Sequence, residues 1–236
     1  MTKLLQNRIS ESKLTLPVTV LCVTGVWLLA GLTQGDWWAS FACFVVSTYL
    51  MIELNNSNAL IRIYSRMVSC VFLVLSAVAC PLFASTEGAW VQVCVVGALL
   101  MIFRTYQDGT SVGSSYYAYL CIGLASLSFV QIVCLIPLLL LMHGVVLHSL
   151  SWRTFFAGFF GLLTPYWFWT CWSVYQQSID QITDHFMALT EWSQPFDFSA
   201  WDGSQVAVLL LLALISVIGI VHYIRTSYLD RIRVRQ

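Results

Sequence analysis

The stretch SYYAYLCIGLASLSFVQIVCLIPLLLLMHGVVL, from Ser115 to Leu147, decides the fold. It is almost wholly apolar over 33 residues, whereas a bilayer's hydrocarbon core is crossed by about 20 helical residues, within a range of roughly 17 to 25. That is long for one tilted helix and short for two. Polar residues gather only in its middle, at SLSFVQ from Ser126 to Gln131. The stretch therefore reads as two short spans joined by a tight hairpin.

Working outward, apolar runs of spanning length recur along the whole chain. Leu16–Leu32, Trp37–Glu53, Met67–Phe83 and Ala89–Phe103 come before the hairpin, and Arg153–Tyr175 and Val206–Tyr223 follow it. With 59% hydrophobic and 9% charged residues, and a mean hydropathy of +0.80, too little polar surface is available to coat a water-soluble globule. The expected architecture is all-α: a polytopic transmembrane helical bundle of about eight spans, forming a single integral membrane domain over residues 1–236.

Charge supports the hairpin. If the N-terminus is cytoplasmic and the hairpin counts as two spans, Lys3, Arg8, Lys13, Arg62, Arg66, Arg104, Arg153, Arg225, Arg231, Arg233 and Arg235 all fall inside, which is every one of the 11 basic residues. A single span at Ser115–Leu147 would send Arg153 and the four C-terminal arginines outside. The positive-inside bias thus favours eight spans with both termini cytoplasmic. Seven of the 11 acidic residues lie outside in that arrangement: Asp36, Glu87, Asp180, Asp184, Glu191, Asp197 and Asp202.

The one long external segment is 176–204. Ile179, Ile182, Phe186, Leu189 and Trp192 recur there at helical spacing, and Ser178 with Gln181 has a capping-box pattern. This predicts an amphipathic helix on the outer interface or over the mouth of the bundle.

Several groups carry possible chemistry. ELNNSNALIRIYSR, Glu53–Arg66, places a carboxylate, three asparagines and two arginines in the first cytoplasmic loop. With Arg104 of the next inner loop, Glu53, Asn55, Asn56, Asn58 and Arg62 form a candidate ligand site, because guanidinium forks match phosphate oxygens. The simpler reading is a corner in which arginines anchor helix ends and Asn and Ser turn the chain. Asp36, in QGDWW, is the sole acid of the first external loop and the candidate catalytic residue if the chain is a transferase. Gly-Asp is also ordinary turn chemistry.

His143 and His148 lie five residues apart at the inner end of the sixth span, a spacing that does not stack them on one helical face, and they read as interfacial. Ala157 and Gly161 form a small-xxx-small ridge that permits close helix approach. Pro165 and Pro137 are expected to kink their helices at the carbonyls of Gly161 and Val133. A cavity between the kinks would suit a passive carrier, while Tyr166, Trp167, Trp169 and Trp172 would face lipid as plain packing devices. No Asp, Glu, Lys or Arg stands mid-span, which disfavours ion-coupled carriers. Gln92, Gln131, Thr48 and Thr164 are the notable deep polar groups. The eight cysteines all sit in apolar stretches without C-x-x-C spacing, so neither a disulfide framework nor a metal site is expected.

Three stretches, ELNNSNALIR, YQDGTSVGSSYYAYLCIGLASL and SWRTFFAGFFGLLTPYWFW, resemble an uncharacterised family of polytopic inner-membrane proteins of the Bacteroidota. That likeness covers roughly half the chain and implies no established activity. The chain is also similar to polyprenyl-phosphate-dependent (GT-C) glycosyltransferases in its Gly123–Ala125 hairpin and in the apolar helix reaching Pro165–Tyr166. Those enzymes carry a catalytic acid in the first external loop, a role that only Asp36 could take here. The chain departs from them in its five-residue first external loop and its small size.

The reading that results is a non-catalytic or accessory inner-membrane component serving envelope biogenesis or a larger membrane complex. A GT-C-like transferase using a lipid-linked sugar and a passive carrier are its rivals. The expected partners are the lipid bilayer and either a lipid-linked substrate or other membrane subunits, with no nucleic acid and no cofactor.

Overall fold

The computed structural model describes residues 14–32, 35, 37–58, 67–79, 85–190 and 203–233. The described residues form helices and their connections: α1 (Thr15–Leu29), α2 (Trp38–Asn58), α3 (Met67–Val78), α4 (Thr86–Phe103), α5 (Val112–Ser128), α6 (Ile136–Leu141), α7 (Trp152–Tyr175), α8 (Asp180–Met187) and α9 (Gly203–Arg233). A 3-10 turn, Val130–Leu135, leads into α6, and a π turn, Met142–Val146, leads out of it. Among the described residues, three helices are long and apolar enough to cross a membrane: Trp38–Ser57, Thr86–Phe103 and Gly203–Val221. The protein is an all-α, multi-pass membrane protein.

The chain divides into two compact units, 1–192 and 193–236. The second consists, among its described residues, of α9, whose 19-residue apolar stretch Gly203–Val221 buries none of its side chains within the protein.

In the first unit, helix directions follow from which residues meet. Tyr119 of α5 lies against Gly158 of α7, Gly123 against Leu162 and Pro165, and Ser126 against Tyr166. Residue numbers rise together along both helices, so α5 and α7 run parallel. Parallel neighbours need a return crossing between them, and Val130–Val146 supplies it. The break falls at Phe129, where the backbone turns extended, inside the SLSFVQ segment. The backbone N–H of Gln107 donates to the Leu147 carbonyl at 2.9 Å, which closes the return beside the start of α5. The chain turns back on itself within the segment where the sequence places a hairpin.

The same logic holds upstream. Gly97 of α4 faces Leu50 of α2, and Arg104 beyond α4 reaches Glu53, so α2 and α4 are parallel. The Gln92 amide of α4 donates to Ser76 of α3 at 3.3 Å, on the segment that runs back between them. Thr19 of α1 meets Cys70 of α3 at 3.5 Å, and Val23 and Trp27 pack with Leu73 and Ala77.

Two apolar cores result. One gathers Val23, Trp27, Leu32, Phe44, Leu73 and Ala77. The other is built on Ala98, Ile102, Ala118, Tyr119, Ile122, Leu139 and Leu147. Close backbone approach makes the second core dense. A Cβ on Gly161 would run into the Tyr116 carbonyl, and one on Gly123 would stand 2.9 Å from the Leu162 carbonyl. The Ala157–Gly161 ridge does what its spacing predicts, and Gly158, against the Tyr119 ring, widens it.

Some expectations are corrected. The second helix runs to Asn58 rather than ending at Glu53, so the first half of ELNNSNALIRIYSR is helix, and 59–66 lies outside the described residues. Pro137 sits in the first turn of α6. It interrupts no regular α-helix, and the Val133 carbonyl accepts from the N–H of Ile136. Ser178 does not form a capping box: its hydroxyl donates to the Ser173 carbonyl at 3.4 Å, and α8 starts at Asp180 without a side-chain cap. The capping box belongs instead to Ser151 and Thr154, at the start of α7.

Candidate functional site

The ligand site drawn from the sequence is assembled only in part. Glu53 lies near the end of α2 and Arg104 just beyond α4, and the parallel run of the two helices brings their ends together. Their side chains form an ion pair at 3.6 Å, with 39% and 44% of each exposed. Asn55, one turn from the helix end, is buried, while Asn56 is exposed. Asn58 closes the helix. Arg62 and Asp36 lie outside the described residues. The Arg104 guanidinium is thus already engaged by a carboxylate, and an exposed pair of this kind contributes about 0–1 kcal/mol.

Beside this pair, the α4–α5 connection and the start of α7 share a network of hydroxyls. Thr105 and Ser149 meet at 2.9 Å, the Ser151 hydroxyl donates to the Gly109 carbonyl at 2.8 Å, and Thr154 donates to the Ser149 carbonyl at 3.1 Å. These bonds tie the α4–α5 connection to the start of α7. Asp108 accepts from both the hydroxyl and the backbone N–H of Thr110, and these two bonds hold its carboxyl below the ordinary value.

His143 is fully buried here rather than interfacial. Its ring stacks on Tyr119 at 6.3 Å, and Nε2 is 3.5 Å from the Ser115 hydroxyl. Its Nδ1 and the Tyr119 hydroxyl are buried without a protein partner. The π turn carries His143 inward, and no spacing rule applied to the sequence would have placed it there. An ionisable group enclosed at such a depth was the feature that counting Asp, Glu, Lys and Arg missed.

No protein-family model, no curated protein and no solved structure matches the chain.

The four deep polar groups all bond within the bundle. Thr48 donates to the Phe44 carbonyl at 2.8 Å, and Gln92 to Ser76. Thr164 meets the Tyr116 hydroxyl at 3.0 Å, and the Gln131 amide donates to the Ala188 carbonyl at 3.3 Å.

The aromatic residues of α7 divide into two sets. Trp167 and Trp172 are exposed, as expected of lipid-facing rings. Tyr166 and Trp169 are half-buried instead, because they pack under α8. The Tyr166 hydroxyl donates to Ser126 at 2.8 Å, and both rings flank His185. Phe160, Leu163, Thr164 and Trp167 line a shallow groove of about 190 Å³ on the outward face of α7.

Proposed function

We propose that the protein is a non-catalytic, accessory component of a bacterial inner membrane, crossing it eight times with both termini cytoplasmic and serving envelope biogenesis or a larger membrane complex. The observation that carries this reading is the use made of the deep polar groups. Gln92, Gln131 and Thr164 spend hydrogen bonds on tying separate segments together, and Thr48 bonds within its own helix. A carrier would be expected to turn such groups towards its substrate pathway, and a transferase to gather them around its acid.

Dense packing of α5 on α7 through Gly123, Gly158 and Gly161 supports the same reading, as does the resemblance to polytopic proteins of the Bacteroidota. The parallel pairing of α5 with α7 agrees with the positive-inside assignment, since it leaves Arg104 and Arg153 at one end of the bundle.

The test is affinity purification of the native protein from mild detergent at its own expression level, with identification of co-purifying proteins and lipids. A stoichiometric membrane subunit is the expected result. Co-purification of a lipid-linked sugar, with a transfer activity abolished by Asp36→Asn, would replace this reading with the transferase.

A further inference from the structure

The short helix α8 docks through two side-chain rings, the imidazole of His185 and the phenyl ring of Phe186. His185 lies edge-on to Trp169 with ring centres 5.0 Å apart, and 6.2 Å from Tyr166. Phe186 stacks on Tyr166 at 5.7 Å and closes the box. Little else holds the helix. It has eight residues and no side-chain cap, and its described polar tether to the hairpin turn is the Gln131–Ala188 bond. Short elements with few contacts are where local opening concentrates.

We propose that α8 is a pH-gated clasp, docked while His185 is neutral in its aromatic box and released when that imidazole takes up a proton. Nε2 of His185 is buried with no hydrogen-bond partner. A neutral imidazole can leave that atom as an unused acceptor. Protonation would turn it into a donor with no hydrogen-bond partner in place, and would put a full charge among three aromatic rings.

The charge environment offers little relief. Among the described residues, Tyr166 is the titratable group facing the imidazole, and its hydroxyl is committed to Ser126. Trp169, Ser126 and Gln131 are neutral. Asp180 and Asp184, on α8 itself, are exposed to solvent. Attraction of an imidazolium to the rings opposes release; burial outweighs the Ser126 carbonyl and pushes the His185 value down.

The direction of the switch follows from that sign. A released His185 titrates near its ordinary value of 6.5, and the docked one lower. Above the ordinary value both forms are neutral and docking is complete. As pH falls below it, the released form gains a proton that the docked form refuses, so release grows by up to about tenfold per pH unit. The loss levels off once the docked imidazole also protonates.

Nitroxides attached to ketone-bearing residues at positions 87 and 183, both exposed, would report the position of α8 in the full chain in nanodiscs, with the native cysteines retained. Pulsed electron paramagnetic resonance should give one narrow distance distribution at pH 8. At pH 5 a second, broader component should rise at least about threefold, reversibly. His185→Phe and His185→Gln should each abolish the pH dependence. Identical distributions at the two pH values, or a response that survives in either variant, would overturn the proposal.

Discussion

Gly161 of α7 sits directly against the backbone carbonyl of Tyr116 in α5, so that even one added carbon has no room. A main-chain atom in a packed helix cannot step aside as the end of a side chain can. Gly161→Ala should therefore destabilise the bundle by about 3 kcal/mol, the upper end of overpacking penalties, measured by thermal unfolding in detergent. Gly25→Ala is the control. It has no neighbour within 4 Å, and its Tm should stay level or rise, since alanine gains up to about 1 kcal/mol over glycine in a helix.

Hydroxyl pairs between α5 and α7 should contribute modestly. Tyr166→Phe removes the bond to Ser126, but Ser126 keeps its own bond to the Gly123 carbonyl and is not stranded. The expected loss is about 0.6 kcal/mol, the average for such bonds in membrane proteins. A double-mutant cycle with Ser126→Ala measures the coupling, and a coupling above about 2 kcal/mol would contradict this account.

The direction of the hairpin can be read from outside the cell. In a background without native thiols, cysteine at position 87 should react with an impermeant reagent added to spheroplasts, and cysteine at 104 or 153 should not. Labelling at 153 with protection at 104 would mean that the Val130–Val146 return does not cross the bilayer.

The corner reading and the ligand reading of Glu53–Arg66 part company over guanidinium geometry. Arg104→Lys and Arg62→Lys keep the charge but lose the planar fork. Both variants, and Asn56→Ser, should complement a null strain at matched expression, with stability changes within about 0.5–1 kcal/mol. Loss of complementation by the lysine variants at normal membrane levels would establish a phosphate-type site there.

Asp108 gives a local pH test. Its carboxyl should titrate below the ordinary 3.8, because the Thr110 hydroxyl and then the Thr110 N–H favour the ionised form. The turn is thus favoured above the ordinary value and loses that support as pH falls through the lowered one. Thr110→Val removes the hydroxyl bond and should raise the midpoint partway, as followed by carboxyl carbon NMR.

Helix order and the hairpin were legible because both rest on composition, which the bilayer reads along the chain. SLSFVQ interrupts an apolar run, and the chain breaks there. The Ala157–Gly161 ridge was legible for a similar reason, since small residues four apart share a face. What escaped notice depends on local winding. A 3-10 stretch and a π turn on either side of α6 shift the angular position of everything after them, so a helical wheel drawn at 3.6 residues per turn puts His143 on the wrong face. Tyr166 and Trp169 looked like their lipid-facing neighbours Trp167 and Trp172, because what separates them is a cover supplied by α8, from a segment whose docking leaves no mark in α7 itself. The Ser151 cap was missed because Thr154 stands where a Glu or Gln is the usual signal.

The length of α7 sets a scale that its closest partner does not share. Its 24 residues extend about 36 Å, against about 26 Å for the 17 residues of α5. Trp152 and Trp172, both exposed, stand about 30 Å apart along it, which is the thickness of an ordinary hydrocarbon layer. Indole rings settle at headgroup boundaries, so in the eight-span arrangement proposed above α7 would act as a ruler that fixes how deeply the protein floats. A thicker membrane would drag the tryptophans below the headgroups and leave the ends of α5 far from water. A thinner one would force α7, and everything packed on Gly158 and Gly161, to tilt. That arrangement predicts a match to a narrow range of lipid chain lengths, so that reconstitution outside it should cost thermal stability even with every internal contact intact.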